Sequence, residues 1–524
     1  MDRTPGDLLM APTHDHYDLI IIGSGAGGAT LAHSLADTGK RILILERGDF
    51  LPREKQNWDS VEIWGKQRYR NSGKWMDGTS GKSFTPKQHY YVGGNTKFYG
   101  AVLFRMREND FGEIHHVDGV SPAWPISYGE LEPYYTEAEN LYHVHGERGI
   151  DPLDPPSESA YPYPAVSDEP RIEQLRADLT TAGLHPFPLP MGIMIDEDRP
   201  HESRCVRCET CDGFPCLVQA KADAHVTCII PALQFENVEL LTNALVRKIN
   251  TNSSGRIATS VSVEVGGDLV TITTTTIVLS AGAVNSAVLL LQSASDQHPH
   301  GLANSSDQVG RNLMLHNNSS LIAFSKTANP TKFQKTLGIN DYYYGDGEWP
   351  YPLGAMQLLG RSDPFTITLD DPHAVDPAAL AEHSLDFWLT TEDLPLPDNR
   401  VTVSESGEIT LTYAPTNLEA HQRLVAKFKG LLESMQCQKE VVEKPHYLGG
   451  KLGINGVAHQ NGTLRFGNDP NTSVLDVNCK AHDLDNLYVV DASFFVSSSA
   501  VNPTLTIIAN ALRVADHLRR TLTA

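Results

Sequence analysis

The amino-acid sequence predicts an α/β protein: a doubly wound parallel sheet into which an antiparallel-sheet domain of α+β type is inserted. Three observations predict this fold. A glycine-rich turn joins an apolar strand to a helix near residue 23, and an Ala-Gly turn does the same near residue 281. Between residues 326 and 415 the pattern changes to short alternating segments typical of antiparallel strands, among them TITL (366–369) and VTVSESGEITLTY (401–413).

The length of 524 residues exceeds what one compact core normally holds, so more than one domain is expected. We expect a discontinuous parallel-sheet domain, which binds the cofactor, and an inserted substrate-binding or cap domain. The first comprises residues 15–110, 220–325 and 455–524, and the second comprises residues 111–219 and 326–454.

Net charge, apolar runs and cysteine content exclude or disfavour several classes of protein. A formal net charge of −22 disfavours unspecific binding to nucleic acid or to anionic lipid. No apolar run approaches the roughly 20 residues that a membrane span needs, and the first residues lack the basic and apolar regions of a secretory signal. Seven cysteines in such a chain indicate reduced thiols, and we expect a cytoplasmic protein.

Residues 17–48 read as strand, glycine turn, helix and strand, a Rossmann-like unit. Gly23, Gly25 and Gly28 form G-x-G-x-x-G, and the second strand ends in Glu46, 18 positions after Gly28. A diphosphate is expected at the helix amino terminus, and the Glu46 carboxylate should accept hydrogen bonds from the adenosine ribose. The motif does not separate NAD from FAD, although its place at the amino end favours FAD.

Two further turns predict contact with a flat ring or a phosphate. In YYVGGNTKFYG the pair Gly93-Gly94 precedes small polar residues, a pattern that also suits a turn opening a strand. TIVLSAGAVNSAVLLLQS (276–293) is another strand-turn-helix unit, with Ala281 and Gly282 at the crevice where ligands of such sheets bind.

Near the carboxyl end, LYVV predicts a buried strand that ends at Asp491. A helix is predicted from Thr504, introduced by Asn502 and Pro503, because proline suits a first helical position. A helix amino terminus aimed into the crevice would stabilise an electron-rich ring.

Together these segments resemble the glucose–methanol–choline (GMC) oxidoreductase family of flavoenzymes. The matching parts are GSGAGG with Glu46, VGGNTKFYGA, VLSAGAVNS, AHQNGT and VVDASFFVSSSAVNPTLTI, in family order from residue 17 to about 520. In that family the first residue of an H-x-x-G-T element is the catalytic histidine, and a His or Asn about 44 positions later completes the pair. The matching residues are His459 and Asn502, 43 positions apart; His316 and His482 lie near the motifs, and no role is assigned to them.

The resemblance implies oxidation of a CH–OH group, and the residue types suit that chemistry. A histidine with a pKa near 6.5 can take the hydroxyl proton at neutral pH. Asn502 would hold the same oxygen and orient the carbon for hydride transfer to N5 of the flavin. The residues assigned to FAD are Gly23, Gly25, Ala26, Gly28, Glu46, Arg47, Gly93, Gly94, Asn95, Thr96, Phe98, Tyr99, Gly100, Ala101, Val246, Ala281, Gly282, Asp491, Ala492, Asn502, Pro503 and Thr504.

One departure concerns the bond to the cofactor. Several family members attach FAD covalently through a histidine shortly after the paired glycines, and the matching position is Phe98. Because phenylalanine cannot form that bond, the resemblance implies non-covalent FAD.

The implied substrate is a sugar, a glycoside or a related alcohol, as in sugar dehydrogenases and pyranose oxidase. The sequence leaves open whether the electron acceptor is oxygen, a quinone or a separate redox protein, and therefore whether the enzyme is an oxidase or a dehydrogenase. It also leaves the oligomeric state open. Two alternatives remain: an FAD-containing lyase of the same fold, and a flavoprotein electron carrier with an iron–sulfur cluster.

The second alternative depends on CVRCETCDGFPC, which contains Cys205, Cys208, Cys211 and Cys216. Four thiolates on a short loop could hold an iron–sulfur cluster or zinc, and the same spacing suits a loop without metal. The sequence leaves these three possibilities open.

Overall fold

The structure is a computed structural model that describes residues 11–333, 335–435 and 447–523. Within these residues, seven strands form one central mixed sheet. Its parallel strands follow the spatial order Val238–Leu241, Ile42–Leu45, His16–Ile22 and Asp268–Leu279, with Leu487–Val489 parallel to the end of Asp268–Leu279. The antiparallel strands Ala258–Val265 and Ala244–Thr251 extend the other half of Asp268–Leu279.

The parallel strands end at one common edge of this sheet. His16–Ile22 is almost wholly buried, because an all-apolar run such as LIII suits a strand covered on both faces. Ile22 pairs with Leu45 on one side and with Leu279 on the other, and Leu279 pairs with Val489. The turns that follow these four strands are therefore neighbours, although Leu45, Leu279 and Val489 lie far apart in sequence.

Three helices follow these turns: Ala26–Leu35, Ala283–Gln292 and Thr504–Thr523. Helix Ala26–Leu35 packs against Thr504–Thr523, which also contacts helix Tyr128–Leu141. Their apolar side chains form one core with the sheet, including Leu31, Leu505 and Ile508.

A second sheet contains five antiparallel strands of the described chain. In spatial order they are Asn317–Phe324, Ser384–Thr391, Ala355–Gly360, Leu337–Ile339 and Phe187–Pro188. Helices Pro170–Thr181 and Leu418–Ser434 share a separate apolar core with this sheet. The predicted fold class, a parallel-sheet domain with an added antiparallel domain, is confirmed; the domain boundaries stay a prediction.

The predicted hairpin at 401–413 is also present. Strand Arg400–Val403 pairs antiparallel with Ile409–Thr412, and a small sheet continues through Trp75–Asp77 and Ser83–Phe84. Shorter strand pairs are Ile114–His116 with Gly119–Ser121, Val144–His145 with Met191–Gly192, and Met314–Leu315 with Gln460–Asn461.

The strand predicted at residues 366–369 is wrong, since these residues lie in helix Pro364–Asp370. The Asp363 carboxylate accepts hydrogen bonds from the backbone N–H groups of Phe365 (2.9 Å) and Thr366 (3.3 Å), and Pro364 occupies the first helical turn. Such a cap and proline start a helix strongly enough to outweigh the strand preference of Thr and Ile. The remaining short α-helices of the described residues are Ile230–Ala232 and Pro377–His383.

Candidate active site

A cavity of about 1010 Å³ lies at the common edge of the parallel strands. Most of the residues predicted to bind a dinucleotide line it: Gly23, Gly25, Ala26, Glu46, Arg47, Gly94, Asn95, Thr96, Phe98, Tyr99, Gly100, Val246, Ala281, Gly282, Asp491, Ala492, Asn502, Pro503 and Thr504. The predicted base His459 lines the same cavity. Gly28, Gly93 and Ala101 do not line it and lie behind its wall.

The glycines of the first turn differ in what surrounds them. A β-carbon on Gly23 would lie 2.3 Å from the Ser280 carbonyl oxygen, and one on Gly28 would lie 2.1 Å from the Gly23 carbonyl oxygen. A β-carbon on Gly25 would meet no protein atom within 4 Å. Gly23 and Gly28 therefore allow close packing, whereas Gly25 keeps space open at the amino terminus of helix Ala26–Leu35, where N–H groups favour an anion.

Ser24 joins this turn to the two neighbouring elements. Its hydroxyl donates to Glu46 Oε2 (2.6 Å) and accepts from the Gly93 N–H (3.1 Å). The other Glu46 oxygen accepts from the Gly48 N–H (2.9 Å), and burial raises the pKa of Glu46. The serine inside the glycine turn was not singled out by sequence, and it fixes the carboxylate expected to meet a ribose.

Asp491 has a similar structural role at the end of strand Leu487–Val489. Its carboxylate accepts from the backbone N–H groups of Gly282 (3.0 Å) and Ser493 (2.9 Å), and from the Ser286 hydroxyl. Burial raises the pKa of Asp491. The carboxylate therefore holds the Ala-Gly turn against the last parallel strand.

The loop after the paired glycines forms another wall. The Phe98 ring stacks on the His89 ring, with centroids 3.7 Å apart and an interplanar angle of 16°. Burial lowers the pKa of His89 to about 4, so the stacked imidazole is neutral. The Tyr99 hydroxyl donates to the Ala222 carbonyl oxygen, which fixes the loop from behind.

The cysteine-rich loop lies against this wall. The buried Lys221 ammonium donates to the carbonyl oxygens of Tyr99 (2.7 Å), Cys211 (2.6 Å) and Phe214 (2.8 Å). The Gly213 N–H donates to the Phe98 carbonyl oxygen (2.9 Å). The loop thus supports the segment that faces the cavity, and Asp212, Gly213 and Phe214 line the cavity themselves.

The cysteine side chains are not arranged as a metal site. In the part of the chain that the structure describes, no three His, Cys, Asp or Glu side chains are placed to hold a metal ion. Burial raises the pKa of Cys205 to about 11 and that of Cys211 to about 12, so both keep their protons at neutral pH. Because no such set of ligands is placed together, the described residues give no support to the iron–sulfur or zinc interpretation.

His459 lies partly exposed to the cavity, just before the short strand Gln460–Asn461. Its Nδ1 is 2.9 Å from Nδ1 of His316. Desolvation lowers the pKa of His459 well below its usual value, and the nearby cations Lys335 and Lys87 lower it further. The imidazole is consequently neutral at physiological pH and able to accept a proton.

Asn502 reaches the cavity from the residues that precede helix Thr504–Thr523. Its side-chain oxygen accepts a hydrogen bond of 2.7 Å from Nε2 of Gln357, which lies in strand Ala355–Gly360 of the second sheet. The second sheet therefore contributes to the same site as the dinucleotide turn. By contrast, Tyr343 and Tyr344 donate to the Asp110 carboxylate and do not line this cavity.

The cavity brings the glycine-rich turn, Glu46, His459 and Asn502 together at one edge of the parallel strands. The GMC oxidoreductase family matches the chain at residues 17–318, with its amino-terminal domain, and at residues 395–511, with its carboxy-terminal domain. The chain belongs to this family of FAD-binding flavoproteins. It is an oxidoreductase that acts on CH–OH donors of the alcohol or sugar type.

Individual relatives agree with this assignment. The chain is 30% identical to 6'''-hydroxyparomomycin C oxidase of Streptomyces lividus, over 96% of this chain and 92% of that protein. It is 27% identical to the fructose dehydrogenase large subunit of Gluconobacter japonicus, over 95% of this chain and 97% of the relative. The crystal structure of a formate oxidase has the same fold, with a TM-score of 0.68 at 15% identity, covering 98% of this chain and 99% of that one.

In the described ranges, no helix is both long and apolar enough to cross a membrane. The longest helix of the carboxyl end, Thr504–Thr523, carries charged residues such as Arg513 and Asp516 along its length.

Proposed function

We propose that the protein oxidises a CH–OH group of a sugar, a glycoside or a related alcohol, with His459 as the base and Asn502 as its partner. The observation that carries the proposal is that His459 and Asn502 line the cavity that also contains the open Gly25 turn. Two relatives, named for oxidising 6'''-hydroxyparomomycin C and fructose, support the choice of substrate class.

The residues present fit FAD. The space at Gly25 and the helix amino terminus behind it suit a diphosphate, while Glu46 suits a ribose. Bound FAD supplies the acceptor for the hydride. Phe98 offers no nitrogen for a covalent bond, so we propose that acid denaturation releases the flavin into the supernatant; a coloured protein pellet would contradict this.

The chain's own residues handle the proton and the orientation of the alcohol. The neutral His459 imidazole takes the proton of the substrate hydroxyl as the carbon–hydrogen bond breaks. Because the Asn502 oxygen is already occupied by Gln357, its amide N–H groups are available to the substrate oxygen. The two side chains then bind one oxygen atom from two directions, which orients the reacting carbon.

The alternative of an FAD-containing lyase of the same fold, which neither of these two relatives supports, makes a different prediction. An oxidoreductase reduces its flavin when it is mixed anaerobically with substrate, whereas a lyase leaves the visible flavin absorbance unchanged. The test is anaerobic mixing with a panel of neutral sugars, sugar acids, amino sugars and simple diols. If no member of this broad panel bleaches the flavin, the proposed oxidation of a sugar or related alcohol is wrong.

Substitution of His459 tests whether this residue is the catalytic base. His459→Ala should lower the rate of flavin reduction by roughly 10²- to 10⁴-fold, which is typical for loss of a general base, while FAD stays bound. The matched control is His482→Ala, because His482 bonds Ser473 (3.0 Å) outside the cavity. Normal reduction by His459→Ala would overturn the mechanism.

A further inference from the structure

His316 lies opposite His459 because of a short antiparallel strand pair. In this pair Met314 is opposite Asn461 and Leu315 is opposite Gln460. The next position of the same register places His316 opposite His459. Their rings meet edge to face, with centroids 5.0 Å apart and an interplanar angle of 86°.

The other ring nitrogen of His316, Nε2, faces a group that can accept a hydrogen bond but cannot donate one. Nε2 of His316 lies 3.1 Å from the backbone carbonyl oxygen of Ser498. A carbonyl oxygen has no proton to give, so Nε2 must carry the hydrogen of this bond. In a neutral imidazole the proton on Nε2 leaves Nδ1 as an acceptor.

The proton positions on His459 follow from this. Nδ1 of His316 is 2.9 Å from Nδ1 of His459, and because the first atom accepts, the second must donate. His459 then carries its proton on Nδ1, and its Nε2 has a free lone pair. We infer that His316 is a positioning residue that sets the tautomer of His459, so that Nε2 is the atom that takes the proton of the substrate alcohol.

The charges around the pair agree with a neutral His316. His316 is 2% exposed, and burial lowers its pKa. Glu392 opposes this effect, yet its carboxylate is already bonded to Ser121 (2.9 Å) and lies 3.2 Å from the His116 ring. Burial lowers the pKa of His459, and the cations Lys335 and Lys87 lower it further, so its protonated form is disfavoured in the resting enzyme.

The same bond continues to act after proton transfer. When Nε2 of His459 takes the hydroxyl proton, both nitrogens of that ring carry hydrogen and the ring is positive. Its Nδ1–H still points at the lone pair of His316, which stabilises the new charge. A neutral histidine thereby acts on the base in the way that a carboxylate does in many other enzymes.

The inference rests on the proposed function of His459, and the test compares two substitutions of similar shape. Asn in place of His316 keeps an acceptor near the position of Nδ1, whereas Leu removes it. His316→Leu should slow anaerobic flavin reduction roughly 10- to 100-fold, the usual cost of losing such an outer partner, with KM and FAD content close to wild type. His316→Asn should recover most of the rate.

The outcomes separate this inference from the proposed function. If His316→Leu reduces its flavin at the wild-type rate, or His316→Asn is as slow as His316→Leu, His316 does not set the tautomer. If His459→Ala in the same series reacts normally, the proposed function itself fails. Thermal unfolding of each variant checks folding, and His316→Met replaces His316→Leu in the comparison if the leucine variant does not fold.

Discussion

The Gln357 amide nitrogen donates a 2.7 Å hydrogen bond to the side-chain oxygen of Asn502. Gln357 belongs to the antiparallel sheet, is 2% exposed and does not itself line the cavity. Asn502 precedes the last helix of the parallel-sheet core. One hydrogen bond from the antiparallel sheet to the segment before this helix therefore decides which end of the Asn502 amide faces the substrate.

Reversing the polarity of this bond should impair catalysis. In Gln357→Glu the carboxylate can only accept, so the Asn502 amide should turn its N–H groups towards residue 357 and its oxygen towards the substrate. The rate of flavin reduction should fall at least tenfold, about 1.4 kcal/mol of transition-state stabilisation. Stopped-flow absorbance measures it at saturating substrate.

A second substitution at this position serves as the control. Gln357→Met removes the donor without adding a competing acceptor, so Asn502 keeps both orientations and the rate should fall less than in Gln357→Glu. Equal rates in Gln357→Glu and wild type would show that the orientation of Asn502 does not matter for the reaction.

The charge on Lys87 should be visible in the pH dependence. Lys87 lowers the pKa of His459, since a nearby positive charge disfavours the imidazolium. Removing that charge in Lys87→Met raises the pKa of His459, so the base becomes protonated at a higher pH. The acidic limb of the kcat/KM profile should therefore move to higher pH.

The matched control is Lys87→Arg, which keeps the positive charge and should keep the limb near its wild-type position. Profiles of kcat/KM, measured over the pH range in which the protein stays folded, report the pKa values of the essential acid and base in the free enzyme. A limb that stays in place in Lys87→Met, or moves to lower pH, would contradict the electrostatic role of Lys87.

Local sequence patterns predicted the residues that are expected to bind the cofactor. Gly23, Gly25 and Glu46 follow from strand, turn and helix signals within thirty positions, because one βα unit contains all its own contacts. His459 and Asn502 were found through family order, which preserves the spacing of segments that meet only in three dimensions. The structure brings all five to one cavity.

The supporting residues could not be predicted in this way. Gln357 and His316 act through partners more than 140 positions away, and no local pattern marks such a contact. Ser24 was overlooked because the glycines around it carry the recognisable motif. At 366–369, the Asp363 cap and Pro364 start a helix in spite of the strand preference of Thr and Ile, and both of these helix signals are local in the sequence.

We expect the open space beside Gly25 to be occupied by the diphosphate of bound FAD. In Gly25→Ala the new methyl group meets no protein atom within 4 Å, so the stability of the apoprotein should stay close to wild type. The methyl group should instead enter the space of the diphosphate and weaken FAD binding roughly tenfold or more, about 1.4 kcal/mol. Titration of apoprotein with FAD, followed by flavin fluorescence, measures this.

Gly27→Ala, two positions later and inside helix Ala26–Leu35, is the contrasting variant. Its β-carbon would lie 2.0 Å from the Val490 carbonyl oxygen, so this substitution should destabilise the apoprotein itself, by about 1–3 kcal/mol or more. Unfolding of both apoproteins in urea separates the two effects. If Gly25→Ala binds FAD as tightly as wild type, the diphosphate does not approach Gly25.

The Lys221 ammonium should hold the cysteine-rich loop against the cavity wall. In Lys221→Met the carbonyl oxygens of Tyr99, Cys211 and Phe214 lose their common donor, and a hydrogen bond to a charged group contributes about 1.5–3 kcal/mol. We expect a clear loss of unfolding free energy in urea, together with weaker FAD binding because the Tyr99 segment loosens. Lys248→Met is the matched control, since Lys248 donates to the single carbonyl oxygen of Ala294 (2.8 Å) away from this loop. Equal stability of the two variants, or unchanged FAD affinity in Lys221→Met, would mean that the cysteine-rich loop does not support the cofactor site.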